Sequence, residues 1–186
     1  MLQNLLAERF KLTLHRGTKI VPLYELSVAK NGPKLTVSKG NSPPGSSPPQ
    51  LPLNTKIGVD KNGFPILAEG VGNASRIMNG HVFVTARGQP LSVVTNVLEQ
   101  QGLGVDAVGL PIMRVIDKTG LTGRYDFYFD FAQRQMEGAV PIDSPSDRGP
   151  DVFSAVYDQL GLKLEPKKGP VEMLIIDHVD KVPTEN

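Results

Sequence analysis

The sequence contains no cysteine, and histidine occurs only three times among its 186 residues. Without cysteine the chain forms no disulfide, no thiolate zinc site and no cysteine nucleophile, so cysteine usage does not indicate a cellular compartment. No run approaches the roughly 20 apolar residues that a membrane-spanning helix needs. The first residues also lack the charged, apolar and small-residue regions of a signal peptide. Neither a membrane span nor export is therefore predicted from these residues alone.

The charge is balanced, which argues against nucleic acid as a partner. Twenty basic residues face nineteen acidic ones, giving a net charge of +1 with no block of lysine or arginine. Proteins that bind the phosphate backbone usually carry a basic patch or stripe. Apolar residues make up 39% and charged residues 21% of the chain, values typical of globular proteins. The length suits one domain with its own core.

Both ends of the chain show a helical pattern followed by two stretches that are typical of strands. At the start, residues 1–10 are predicted to be helical and residues 11–15 and 21–29 to be strands, with a polar turn at 16–19. At the end, Asp151 caps a predicted helix that Gly161 terminates, and strands follow at 162–165 and 171–179. An offset of 150 residues aligns the apolar positions of the two ends without gaps, and residues 91–131 repeat the order with a longer loop.

These patterns predict an α+β fold for a single domain over residues 1–186. Repeated helix-strand-strand units would form mainly antiparallel sheets, with the helices packed on one face. Residues 31–63 contain six prolines and five glycines. Such a composition disfavours packed structure, so this segment is predicted to be a mobile insertion in the domain.

Acidic side chains on the clearest strand are the first candidates for a catalytic site. In residues 124–131, three phenylalanines alternate with Asp126, Tyr128 and Asp130, which therefore share the opposite face. Asp126 and Asp130, together with His178 from a distant strand, are the candidate catalytic residues. The alternative is a solvated strand face and a surface histidine. The chain has no G-x-S-x-G nucleophile motif, no H-E-x-x-H and no complete phosphate-binding loop.

A second acidic group lies between the clearest strand and the last helix. Asp143, Asp147 and Asp151 fall close together in a polar stretch rich in oxygen ligands. Hard oxygen donors suit Ca²⁺, so these three residues are the candidate metal ligands and Ca²⁺ is the candidate cofactor. The alternative for Asp151 is the helix cap described above.

Three segments together carry a family resemblance: LQNLLAERFKLTLHR at 2–16, VIDKTGLTGRYDF at 115–127 and LGLKLEPKKGPVEMLIIDHVDK at 160–181. The chain resembles a family of uncharacterised proteins from soil-associated bacteria, expanded in Acidobacteria such as Solibacter, with a domain of unknown function. The resemblance implies a fold but no activity. It also implies that this chain is the C-terminal portion of a protein whose full-length form is exported. The helix-strand-strand order is similar to the short N-terminal domains of secretins and TonB-dependent receptors, which bind partners in the periplasm.

Two functional hypotheses follow, and a third reading remains open. The first is an exported, non-catalytic binding or interaction module for a small molecule or an envelope protein. The second is a small metal-assisted hydrolase, with Ca²⁺ as the candidate ion, acting on an ester or on a lactone such as an acyl-homoserine lactone. The third is that the chain is half of a larger domain without a function of its own. The sequence predicts no oligomeric state.

Overall fold

The computed structural model describes residues 2–39, 58–104, 113–133, 149–180 and 182. It divides the chain into two compact units, Met1–Pro22 with Lys168–Asn186, and Leu23–Lys167. In chain order the described elements are α1 (Leu2–Phe10), β1 (Thr13–Val28), β2 (Thr36–Val37), β3 (Asn73–Met78), β4 (His81–Gln89), α2 (Ser92–Val97), β5 (Arg114–Asp117), β6 (Tyr125–Ala132), α3 (Val152–Leu160) and β7 (Leu162–His178). A π-helical turn, Leu98–Gly102, continues α2.

The larger unit, Leu23–Lys167, is built around a four-stranded antiparallel sheet in the order β2-β6-β4-β3. Val84 lies opposite Phe129 and Val82 opposite Phe131, and all four side chains are fully buried. The alternation predicted for β6 is confirmed, since Phe127, Phe129 and Phe131 all point into the core. Side chains of α2 and α3 pack into the same core, among them Val94, Val97, Val156 and Leu160.

Helix α3 has the two end signals that the sequence predicts. The Asp151 carboxylate accepts hydrogen bonds from the backbone N–H groups of Phe153 and Ser154, which the first turn of the helix leaves without partners. Gly161 ends the helix with φ of 66°, a left-handed conformation that glycine adopts without a Cβ penalty. A side chain at Gly161 would also collide with the backbone of Gly32 and Lys34.

A second sheet has the order β5-β1-β7. In the larger unit, β5 pairs in parallel with residues 23–26 of β1. The predicted turn at 16–19 and the predicted break between 165 and 171 are both wrong, because β1 and β7 are each one continuous strand.

The smaller unit shows why these breaks do not form. It contains α1 and the remaining parts of β1 and β7, where His15 contacts Asp177 and Arg16 contacts Glu172. His15 of β1 contacts residue 177 of β7, whereas the next residue, Arg16, contacts the earlier residue 172. The two strands therefore run antiparallel. Residues 16–19, whose composition favours a turn, are thereby held in an extended ladder. Each end of the chain is a helix followed by one strand, and the predicted repeat is not shown.

The fold class is thus α+β, with most described residues of regular structure in strands. Within the predicted insertion, residues 40–57 lie outside the described part, whereas β2 and residues 58–63 are described. None of the helices in the described part of the chain is long and apolar enough to cross a membrane.

Candidate functional site

The face of the four-stranded sheet that points away from the core carries the candidate site. We call it the outer face and define it by His81, Phe83 and Thr85 of β4 and by Asp126, Tyr128 and Asp130 of β6. Because successive side chains of a strand point to opposite faces, these residues alternate with the buried valines and phenylalanines. The predicted grouping of Asp126, Tyr128 and Asp130 on one face is therefore correct.

An open groove of about 480 Å³ lies on the outer face. Its walls come from residues 85–87 of β4, residues 126–128 of β6, Thr36 of β2, and Asp60, Asn62, Phe64, Pro65 and Ile66. All of these residues belong to the larger unit. The volume lies in the range of small-molecule sites, roughly 300–1,000 Å³. We call this feature the outer-face groove.

One wall is a turn whose shape is set by Asp60. Its Oδ1 accepts hydrogen bonds from the backbone N–H groups of Asn62 and Phe64, each at 2.9 Å. Aspartate side chains commonly stabilise turns in this way. The turn places the Phe64 ring edge-on against Phe83, with centroids 5.5 Å apart, and against Tyr128, at 5.3 Å. The groove therefore has an aromatic wall with a fixed geometry.

Asp126 lines the groove and also holds a β-bulge in place. The pairing of β4 and β6 shifts register between Ala86 and Gln89, where Gly88 has φ of 60°. Oδ1 of Asp126 accepts a 2.7 Å hydrogen bond from the Gly88 N–H, and Nη1 of Arg124 donates a 2.7 Å bond to the Gly88 carbonyl oxygen. The side chains of Asp126 in β6 and of Arg124, which directly precedes β6, thus satisfy both backbone groups of the bulge residue. This predicted catalytic residue has a structural role in the bulge.

Thr85 supplies an unusual polar atom at the groove. Its Oγ1 is buried, yet no hydrogen-bond partner for it is found among the described residues. Burying a hydroxyl without a partner costs free energy, roughly 1–3 kcal/mol by protein mutation data. Thr85 sits directly opposite Tyr128 in the strand pairing, so this hydroxyl lies beside the aromatic wall.

Asp130, the second predicted catalytic residue, lies further along the outer face and next to His81. Nε2 of His81 is 2.8 Å from Oδ2 of Asp130, and both side chains are largely buried. The distance permits an ion pair when His81 is protonated, but the atoms do not meet hydrogen-bond geometry. The Gln159 side chain donates to the Asp130 carbonyl oxygen and accepts from its N–H, at 2.9 and 3.0 Å. Helix α3 therefore fixes the backbone of Asp130.

His178, the third predicted catalytic residue, belongs to the smaller unit, whereas Asp126 and Asp130 belong to the larger one. Its side chain is 58% exposed, and Nε2 lies 3.0 Å from Oδ1 of Asp180. His15 makes a similar contact with Asp177 in the same unit, at 2.9 Å. These are exposed histidine–carboxylate contacts of the kind found on many protein surfaces.

Of the predicted calcium ligands, Asp143 and Asp147 lie outside the described residues. Asp151 is described, and it caps α3. The hydrogen bond from the Ser154 hydroxyl is the main cause that lowers the pKa of the Asp151 carboxyl below its usual value. Within the described ranges, no three His, Asp or Glu side chains come together in a way that could hold a metal ion. The calcium site stays a prediction.

Sequence reasoning missed His81, Thr85 and Phe64 as members of the site. A strict alternation in residues 81–86 would have placed His81, Phe83 and Thr85 on one face, opposite three buried residues. The sequence of neither strand predicts the register that places Thr85 opposite Tyr128. The turn at Asp60 positions Phe64, whose ring contacts Tyr128, a residue far away in the sequence.

Comparison with known proteins gives a family whose description assigns no function. The sequence profile described as "Protein of unknown function (DUF3738)" matches residues 1–179. No curated protein and no solved structure matches the chain.

Proposed function

Because the chain belongs to the DUF3738 family, whose description assigns no activity, we propose its function from the geometry of the outer face: a non-catalytic module that binds a small molecule in the outer-face groove. The observation that carries the proposal is a groove of about 480 Å³ that combines an aromatic wall with polar side chains, among them Asp60, Asn62 and Asp126. Ligand sites are usually concave, largely apolar and equipped with a few placed polar groups.

Binding is favoured over catalysis because the acidic side chains that line the groove stabilise the local backbone. Asp60 holds its turn and Asp126 holds the bulge at Gly88, each through short hydrogen bonds from backbone N–H groups. Replacing either carboxylate would disturb the local backbone, which favours a structural role for both over a catalytic one.

Ligand-detected NMR with a panel of small ring compounds tests the proposal. The panel contains neutral saccharides, ring alcohols, alkylammonium ions and aromatic carboxylates. We expect at least one class to bind the wild-type protein and to lose binding in Tyr128→Ala, since Tyr128 is 68% exposed and forms part of the aromatic wall. Tyr157→Ala is the matched control, because Tyr157 is an exposed tyrosine on α3 outside the groove lining. No binding, or equal loss in both variants, contradicts the proposal.

A metal-assisted hydrolase of an ester or lactone is the second candidate, and the His81–Asp130 contact favours it. A histidine beside a carboxylate on a partly buried face resembles the base-and-orienter pairs of hydrolytic sites. The test is turnover of an ester and lactone panel that includes an acyl-homoserine lactone, with and without a chelator. Turnover that Asp130→Asn abolishes without loss of folding supports the hydrolase, and absence of turnover from the whole panel contradicts it.

Export of the full-length protein is also part of the proposal. It is supported only by the resemblance of residues 2–16, 115–127 and 160–181 to the exported proteins of soil bacteria. Fractionation of a bacterium that expresses the full-length gene tests it. We expect the protein outside the cytoplasm, and recovery in the cytoplasmic fraction alone contradicts export.

A further inference from the structure

We propose that the outer-face groove binds a neutral saccharide, that is, a ring carrying several hydroxyl groups. This inference rests on the proposed function, since it names the ligand class of the same groove. It depends on two features of the lining: charges of both signs and an exposed aromatic ring.

The charges in the lining favour a ligand that both donates and accepts hydrogen bonds. Asp60 and Asp126 contribute carboxylates, and exposed Arg87 contributes a guanidinium. Carboxylates only accept and a guanidinium only donates, whereas a hydroxyl does both. A small cation would face Arg87, and a small anion would face the two carboxylates. A neutral polyol can bond with all three groups.

The carboxylates retain capacity for a ligand although they serve the fold. In both Asp60 and Asp126 the backbone N–H bonds go to Oδ1, and no bond to Oδ2 is found in the described part of the chain. The remaining oxygen accepts a hydroxyl proton without loss of the bond that holds the turn or the bulge. The Asn62 and Thr36 side chains add donors and acceptors beside them.

Tyr128 provides an apolar surface that suits the C–H face of a sugar ring. Its side chain is 68% exposed, and its ring meets Phe64 at 67° with centroids 5.3 Å apart. Phe64 therefore supports the Tyr128 ring at a tilt and does not stack upon it. A sugar ring has hydroxyls at its rim and C–H groups on its faces, so it matches an aromatic surface bordered by polar side chains.

A purely apolar ligand does not match this lining. It would cover Asp60, Asp126 and Arg87 and remove water from these charged groups without replacing its hydrogen bonds, at a cost for each. Sites built to bond a ligand hydroxyl discriminate strongly against analogues that lack it.

The test measures binding of cellobiose, xylobiose and galactose by isothermal titration or ligand-detected NMR. Cyclohexanol, choline and benzoate represent the competing ligand classes. We expect at least one saccharide to bind and all three competitors to bind at least about tenfold more weakly. Tyr128→Ala should weaken saccharide binding about tenfold, because the aromatic surface is lost. Tyr128→Phe keeps the ring and should retain most of the affinity.

The outcomes separate this inference from the proposed function. If a competitor binds in a Tyr128-dependent manner and no saccharide does, the saccharide inference is overturned and the binding module stands. If saccharides bind equally well to Tyr128→Ala, the sugar site lies elsewhere and the inference is again wrong. If no compound of any class binds, both proposals fail. Circular dichroism of each variant confirms folding, and exposed Tyr157→Ala should leave saccharide affinity unchanged.

Discussion

Replacing Asp126 by alanine removes the acceptor that holds the bulge at Gly88, so we expect loss of stability. Gly88 is buried, and its N–H donates to Oδ1 of Asp126 over 2.7 Å. Hydrogen bonds to charged groups contribute about 1.5–3 kcal/mol, and a buried N–H left without an acceptor costs about 1–3 kcal/mol. Because Asp126 itself is only half-buried, the lower part of these overlapping ranges applies. We expect Asp126→Ala to lose about 2 kcal/mol of unfolding free energy.

Urea unfolding followed by circular dichroism measures this loss directly. Asp126→Asn keeps an acceptor oxygen but removes the charge, so about half the loss, roughly 1 kcal/mol, is expected. For a protein of this size 1 kcal/mol corresponds to roughly 2–4 °C, so Asp126→Ala should melt about 4–8 °C lower. Asp158→Ala is the control, because Asp158 is an exposed aspartate on α3 and should change stability by less than about 0.5 kcal/mol.

The structural role of Asp126 is refuted by one clear result. If Asp126→Ala and Asp158→Ala have equal unfolding free energies, the Gly88 hydrogen bond does not stabilise the fold. Partial coupling with Arg124, which binds the Gly88 carbonyl oxygen, gives a second check. The double variant Asp126→Ala/Arg124→Ala should lose less than the sum of the two single losses, because both side chains hold the same bulge residue.

Three further changes have defined outcomes. Thr85→Val should raise the unfolding free energy by about 1 kcal/mol in urea titrations, because it removes a buried unpartnered hydroxyl; a loss of stability would show that this oxygen has a partner. Gly161→Ala should lower the unfolding free energy by more than Gly120→Ala does. Gly120→Ala costs about 1 kcal/mol for the left-handed backbone alone, because the space around Gly120 is open. At Gly161 an added side chain also collides with backbone atoms. Asp151→Asn keeps the helix cap but cannot titrate. The lowered pKa of Asp151 gives the wild type a stabilisation that is present above pH 3.8 and lost as the pH falls through the folded-state pKa. In urea titrations, the unfolding free energy should therefore decrease less between pH 7 and pH 3 for Asp151→Asn than for the wild type. Equal decreases would contradict the role of this carboxyl.

Local signals in the sequence predict the helices and the strand of the site well. Asp151 and Gly161 bracket α3 because capping is a property of single residues at helix ends. The phenylalanines of β6 separate from Asp126 and Asp130 because alternation is a property of one strand. Such features need no knowledge of the rest of the fold.

Features that depend on pairing between distant segments are not predictable in this way. The polar residues 16–19 favour a turn by composition, yet their pairing with β7 keeps them extended. The sequence of β6 does not show that the Asp126 carboxylate has a partner. Its hydrogen bond from Gly88 depends on the register with β4. The contact of Phe64 with Tyr128 depends on the turn at Asp60, and neither residue signals it in the sequence. The groove is made of such contacts, so its sequence signal is weak.

Chemical-shift mapping of backbone amides is the most direct test of a ligand site in the outer-face groove. The tightest-binding compound of the panel is titrated into ¹⁵N-labelled protein, and the amide shifts are followed residue by residue. We predict saturable shifts concentrated in residues 60–66, 85–87 and 126–128, and their loss in Tyr128→Ala but not in Tyr157→Ala. Shifts concentrated in the smaller unit, or no saturable shift with any compound, would contradict the account.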